Sequence, residues 1–310
     1  MSRGVRTRGV CLALLVAAAA GACGGKGGHE RLGDQAYAEG RWSDALAEYR
    51  ALPKDRTSAA ALAKTGAAAL HAGELRQAAE AYARLAGEDP TRADEAAEGL
   101  EGVARAAERA GNSGVLREVV TALDAISPDR PTGRYALLLL QQPGLEESEA
   151  AALLPEALAA ATTAGGVDSL LSLYGQVLQA TEGCGQALIP YRAVLRRSHD
   201  SGTRTPAARG VADCAYALGA RADSAGRLDD AALWFAESAR VDSTTETGRR
   251  ALLRYGGARL GQGDTLAAAI AFQAVASGGT ADSTGRTAAS RLASLERPTS
   301  AGDSARTGAQ

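Results

Sequence analysis

The stretch "GRWSDALAEYRAL", Gly40 to Leu52, is rewritten thirty-three residues later as "GELRQAAEAYARL", Gly73 to Leu85. Gly, Ala, Tyr and Leu keep their places while the letters between them change. In the first copy Trp42, Ala45, Leu46 and Tyr49 fall at i, i+3, i+4 and i+7, the apolar stripe of an amphipathic helix. The skeleton reaches upstream as well: Gly33 lies seven residues before Gly40, and Gly66 seven before Gly73. Written out, it is G-x6-G-x-Φ-x2-A-x3-[YF]-x2-Φ, where Φ is apolar.

Further copies lie downstream. One runs Gly219/Gly226/Leu228/Ala231/Phe235 with Ser238 last, and another runs Gly256/Gly263/Thr265/Ala268/Phe272/Val275. A worn copy reads Gly114/Leu116/Val119/Leu123/Ile126, with Pro131 where Pro90 follows the second copy. The steps between copies are 33, 41 and, for the last pair, 37 residues. A fixed period of this length is the mark of a stacked array rather than of a generic alanine-rich bundle.

The skeleton resembles the tetratricopeptide repeat (TPR), a helix-turn-helix of about 34 residues. That resemblance implies an all-α fold, a right-handed alpha-alpha superhelix of TPR-like solenoid type. Each position has a physical task. The first Gly lets helix A lie close to helix B, and the second ends helix A in a left-handed conformation. The Ala permits close helix approach, the ring and the last apolar residue cover the joint with the next repeat, and Pro closes helix B. Repeats are expected over 32–131 and again over 206–296, where Asp282–Leu295 forms a capping helix. Between them, 132–205 reads as degenerate helical hairpins: Thr132–Gln141, Glu146–Ala161, Val167–Thr181 and roughly Gln186–Arg197. Pro143-Gly144, Gly165-Gly166 and Gly183 punctuate these segments. About fourteen helices are expected, each repeat touching mainly its neighbours. The last stretch, 297–310, is polar and expected to be disordered.

Composition agrees with close-packed helices. Apolar residues make up 45% of the chain but aromatics only 4%, and alanine and leucine carry most of the apolar mass. The formal net charge of −2 lacks the basic surplus of a nucleic-acid binder.

The N-terminus reads as an address. Arg3, Arg6 and Arg8 precede the short apolar run Val10–Ala20, and small residues lead to Cys23. This is the layout of a secretory signal over 1–22. Ala20-Gly21-Ala22-Cys23 resembles a bacterial lipobox, although the family pattern prefers Leu at the position of Ala20. The resemblance implies cleavage before Cys23 and a diacylglyceryl group on its thiol, an acyl anchor with palmitate-like chains. The alternative is ordinary cleavage and a free periplasmic protein. "GGKGG" after the cysteine makes 23–31 a flexible Gly-rich leash. Gly24 is not the Asp that some bacteria use to retain a lipoprotein at the inner membrane. Rules of this kind vary between bacteria and leave the choice of membrane open; the expected address is a lipid-anchored position in the cell envelope facing the periplasm, with the outer membrane preferred.

Residues that carry chemistry are sparse. His29, His71 and His199 match no metal-ligand spacing, and no cofactor motif is present. Ser198-His199-Asp200 is a triad in letters only, because a triad needs convergence in space. Gly302-Asp303-Ser304 has no block of strands behind it. No catalytic residue and no metal ligand is therefore assigned, and the expectation is a protein that is not an enzyme. Cys184 and Cys214 remain after Cys11 leaves with the signal and Cys23 is acylated. In an oxidising compartment they either form a disulfide or stay as buried thiols in alanine-rich helices. An idealised hairpin is expected to set them several ångströms out of line.

In tetratricopeptide arrays the second, fifth, ninth and twelfth residues of helix A usually face an inner groove. Carried across, these are Glu30, Asp34 and Tyr37, then Ala60, Ala63, Ala67 and Leu70 with His71 beside them. Further along they are Asp213, Tyr216 and Asp223, then Arg250, Leu253 and Leu260. Tyr37, His71, Tyr216, Asp223 and Arg250 are the expected groove contacts, rings and arginine being frequent hot-spot types. The implied function is a cell-envelope lipoprotein scaffold that binds a protein or peptide partner and sits at the membrane through its lipid. An accessory subunit for peptidoglycan enzymes, or a hydrolase with an unrecognised site, are the alternatives.

Overall fold

The computed structural model describes residues 28–53, 58–241 and 243–297. The signal segment, Cys23, most of the leash, and Gly302-Asp303-Ser304 with the rest of the polar tail from 298 lie outside the described residues. Among the described residues the chain is all-α, with fifteen α-helices, one short 3-10 turn and no strand. It divides into two compact units, 1–135 and 136–310.

Unit 1 holds three helical hairpins. They are α1 (Gly28–Ala38) with α2 (Trp42–Arg50), α3 (Ala59–Ala72) with α4 (Leu75–Glu88), and α5 (Ala93–Arg109) with α6 (Ser113–Ile126). Unit 2 begins within α7 (Gly133–Leu139). It continues through α8 (Glu147–Ala160), α9 (Ala164–Thr181), α10 (Cys184–Arg197) and α11 (Ser201–Ser224), then α12 (Leu228–Val241), α13 (Glu246–Gly261), α14 (Thr265–Ser277) and α15 (Ser283–Glu296). In each unit a helix packs chiefly on its sequence neighbours and more lightly on the next but one, as α3 does on α5 and α11 on α13. That nearest-neighbour pattern is the TPR-like stacked array the sequence implies.

Each ring occupies a slot lined by glycine. A Cβ at Gly33 would stand 2.5 Å from the Tyr49 ring, one at Gly66 2.8 Å from Tyr82, and one at Gly256 2.6 Å from Phe272. No carbon packs that closely, so glycine here is a requirement of space. The ring also presses on the next hairpin: Gly99 is 2.3 Å from Tyr82 by the same measure. Tyr82 is thus clamped between α3 and α5. Where the copy starting at Gly219 has Ser238 in place of an apolar residue, the buried hydroxyl donates to Ala212 O at 2.8 Å. That bond removes the cost of burying it.

The turns repeat as faithfully. Gly73 has φ +80°, its N–H donates to Leu70 O, and the next N–H, of Glu74, donates to Ala69 O. The same pair of bonds closes α1, α5, α11 and α13 at Gly40, Gly111, Gly226 and Gly263. They satisfy carbonyls that the helix end leaves orphaned. Ser58, Asn112, Asp200, Asp264 and Asp282 cap the starts of α3, α6, α11, α14 and α15 through their side chains.

Several expectations change. The turn glycine of the worn copy is Gly111, not Gly114, which lies inside α6. The frame shifts by three, so Leu116, Val120 and Leu123 occupy the Ala, ring and last apolar positions. Helix α1 starts at Gly28, so the leash ends before residue 31 and His29 is helical, its ring bonded to Glu48 at 2.7 Å. Gly165-Gly166 is no break: Thr163 caps α9 through the Gly166 N–H. The boundary at 206 falls inside α11.

The 132–205 segment is also less degenerate than it reads. Gly175 and Tyr191 are sixteen residues apart, the spacing of Gly33 to Tyr49 and of Gly66 to Tyr82. Ala187 and Val194 fill the other two positions, and Tyr191 is clamped between Gly175 and Gly210, each Cβ position 2.4 Å from the ring. The copy is masked because its turn glycine, Gly183, comes one residue late.

Candidate functional site

Unit 1 carries a groove on its A-helix side. Its floor is Ala60, Ala63 and Ala67, at i, i+3 and i+7 of α3. Asp34, Tyr37, Ala38 and Tyr49 from α1 and α2 form one wall, and Arg92 and Glu95 form the other. The groove is open to solvent, with a volume of about 490 Å³. Alanine keeps the floor low, so the backbone of a bound segment can approach α3 closely.

The rim is polar and internally matched. Tyr49 donates its hydroxyl to Asp34 Oδ1 at 2.8 Å. Lys64 reaches back from α3 to Glu30 and Asp34, each at 2.9 Å. Arg92 grips Glu95 with two bonds of 2.7 and 2.8 Å. Burial works to raise the Asp34 carboxyl, but the bonds from Lys64 and Tyr49 outweigh it and hold the group below its ordinary value. Burial, with Asp34 beside it, raises the Tyr49 phenol. The bond to Asp34 in turn raises the Lys64 ammonium. These half-exposed pairs add little stability individually. Their role is to fix α1 against α3 and hold the floor open.

Tyr37 links this groove to a ring cluster. It meets Trp42 edge-on at 4.7 Å, and Trp42 stacks on His71 at 4.4 Å. Of the expected contacts, Tyr37 therefore lines the groove, while exposed His71 lies outside its lining with its ring edge-on to Tyr37 at 5.9 Å. Tyr216, Asp223 and Arg250 belong to unit 2. There Tyr216 packs on Phe235 at 5.7 Å, Asp223 pairs with Arg254 at 3.4 Å, and Arg250 pairs with Glu246 of its own helix. Unit 2 has a cavity of about 440 Å³ lined in part by Asp213, which accepts from Thr247 at 3.0 Å.

The Lys64 ties are the part of the site that residue spacing alone could not have supplied. Lys64 completes the i, i+3, i+4, i+7 stripe of Ala60, Ala63 and Ala67, but its carboxylate partners sit thirty and more residues away. Ser198 and Asp200, the outer letters of the apparent triad, are spent on local capping. Ser198 closes α10 and takes a bond from the Asp200 N–H, and Asp200 accepts from Thr203. Among the described residues no group of three His, Cys, Asp or Glu could hold a metal, and no helix is long and apolar enough to cross a membrane.

The structure records a disulfide between Cys184 and Cys214, with Cα atoms 4.9 Å apart, inside the usual span of roughly 4.4–6.8 Å. The misalignment expected of a plain hairpin does not arise. The α10–α11 turn is centred on His199, and the two cysteines lie fifteen residues to either side of it.

No family model matches the chain, and no curated protein matches it. Solved structures with similar helical arrays do. One is the TPR2AB-domain:pHSP90 complex of yeast Sti1, at 14% identity and TM-score 0.31, covering 87% of this chain and 96% of that one. Another is the C-terminal part of a TPR repeat-containing protein from Cytophaga hutchinsonii, at 12% identity and TM-score 0.35, with 83% and 98% covered. A third is pilF of Pseudomonas aeruginosa, at 16% and 0.30, with 75% and 97% covered. The fold assignment rests on the glycine-ring slots and matched turns above.

Proposed function

We propose that the chain is a non-catalytic scaffold of the cell envelope, anchored by an acylated Cys23, whose unit 1 groove holds an extended or helical segment of a protein partner. The observation that carries the binding reading is the floor of Ala60, Ala63 and Ala67 between walls tied open by Lys64. A stretch with small apolar residues facing down and mixed charges at its edges suits that floor and rim. The lipid anchor rests on the lipobox resemblance alone. Mass spectrometry of the mature N-terminus tests it: an acylated Cys23 supports the anchor, and a mature form that starts elsewhere removes it.

The binding reading is tested by filling the groove. Affinity capture from crosslinked envelopes is compared for wild type, Ala63→Trp on the floor, and Ala47→Trp on the exposed face of α2. The expected result is a partner captured by wild type and by Ala47→Trp and lost with Ala63→Trp. Equal capture by all three contradicts the reading.

A further inference from the structure

Three aliphatic side chains in unit 2 are left in solvent at one register of the repeat. Ile189 on α10, Leu233 on α12 and Ile270 on α14 are 64%, 69% and 63% exposed. Each stands two residues before the clamped ring of its helix, Tyr191, Phe235 or Phe272. They therefore share a face. Leu266, one turn before Ile270, extends the row at 71% exposure. The repeat does not demand this. At the same register unit 1 has Ala47, Glu80 and Glu118, the last paired with Arg76. Single exposed aliphatics are ordinary on a surface, but a row in register is an unpartnered stripe.

The charges along α12 indicate what covers the stripe. Its first turn carries Asp229 and Asp230, its last turn Arg240, and Leu233 lies between them. All four are exposed. Asp230 is paired with Arg227 at 3.3 Å and Asp229 accepts from Gln262 at 2.7 Å, both at the surface. Among the described residues Arg240 makes no ion pair. On this face α12 is acidic at one end and basic at the other, with Leu233 and Ala236 between and Glu237 neutralised by Arg192 of α10 at 2.6 Å, and such a helix is complementary to itself when run antiparallel. A two-fold axis through α12 sets Asp229 and Asp230 of each copy against Arg240 of the other. It also brings Leu233 toward Leu233 and Ala236 of its mate, and sets Ile189 against Ile189 on one flank and Ile270 against Ile270 on the other. That self-match is what an isologous interface requires.

We infer that the outer face of unit 2 is a homodimer interface, formed by α12 packed antiparallel on α12 of a second copy, with Ile189 and Ile270 closing its flanks. The test is sedimentation velocity on the purified full chain over a range of concentrations. Wild type is expected to approach twice the chain mass as concentration rises, and Leu233→Lys to weaken association at least about tenfold. Two charge variants make the test specific. Asp229→Lys/Asp230→Lys alone sets lysines against Arg240, and Arg240→Glu alone sets a glutamate against the aspartates, so each is expected to stay monomeric. Mixed in equal amounts they restore both contacts and are expected to form a heterodimer. Circular dichroism melts confirm that each variant is folded, and the Gln262 amide can turn to accept from a lysine at 229. Wild type that stays monomeric at every concentration overturns the inference. So do charge variants that dimerise as well as wild type. Monomeric wild type that floats with anionic vesicles, in a manner abolished by Leu233→Lys, overturns it too and makes the stripe a lipid-facing one.

Discussion

Tyr82 shows how one residue sets the distance between helices. Its ring fills the space that side chains at Gly66 and Gly99 would take, and burial pushes its phenol up to about 12. Gly66→Ala or Gly99→Ala forces the ring or a helix to move, and overpacking of this kind costs about 1–3 kcal/mol. Gly87, on the exposed side of α4, has nothing near it. Gly87→Ala is therefore expected to stabilise by up to about 1 kcal/mol. Thermal melts of the three variants check the opposite signs. Asp34 gives a pH prediction at the same scale. Its carboxyl lies below its ordinary 3.8, so its contribution is present above that value and lost as pH falls through the lower, folded one. The melting-temperature gap between wild type and Asp34→Asn is expected at neutral pH and should close as pH drops below 3.8. A gap that persists in acid means that the carboxylate is not the stabilising group.

At the scale of the helix pair, the first Gly, the turn Gly, the Ala and the ring were all legible in the letters, because each answers a steric demand few residues can meet. Four hairpins could be read that way. The α5–α6 pair was read out of frame, since Ala104 and Val120 stand where the other copies have Gly and a ring. The α9–α10 pair was passed over for a turn one residue longer. The cross-helix ties of Lys64, and the match of cysteines about His199, depend on how neighbouring helices face, which one helix's periodicity does not specify. The Cys184–Cys214 bridge closes a separation of 30 residues, and a loop of that size is worth roughly 3–4 kcal/mol by chain entropy. Reductant is expected to lower the denaturation midpoint of wild type toward that of Cys184→Ser and to leave the variant unchanged. Identical midpoints for wild type with and without reductant contradict it.

On the scale of the whole molecule, nearest-neighbour packing localises any disturbance. Gly256→Ala crowds Phe272, and in a stacked array the loss should reach α13, α14 and their neighbours α12 and α15 before it reaches α9 and α10. Hydrogen exchange read by mass spectrometry is expected to show that gradient, and uniform loss of protection through unit 2 is the contrary result. The floor residues of the unit 1 groove, Ala60, Ala63 and Ala67, stand outside the buried core. Its openness is thus available for binding, which is the centre of the account. The most direct measurement places a photo-crosslinking benzoylphenylalanine at Ala67 on the groove floor, and separately at Glu80 on the exposed side of α4, in cells that make the full chain. The account predicts one discrete protein adduct from position 67 and none of that mass from position 80. The same adduct from both positions, or none from position 67, contradicts it.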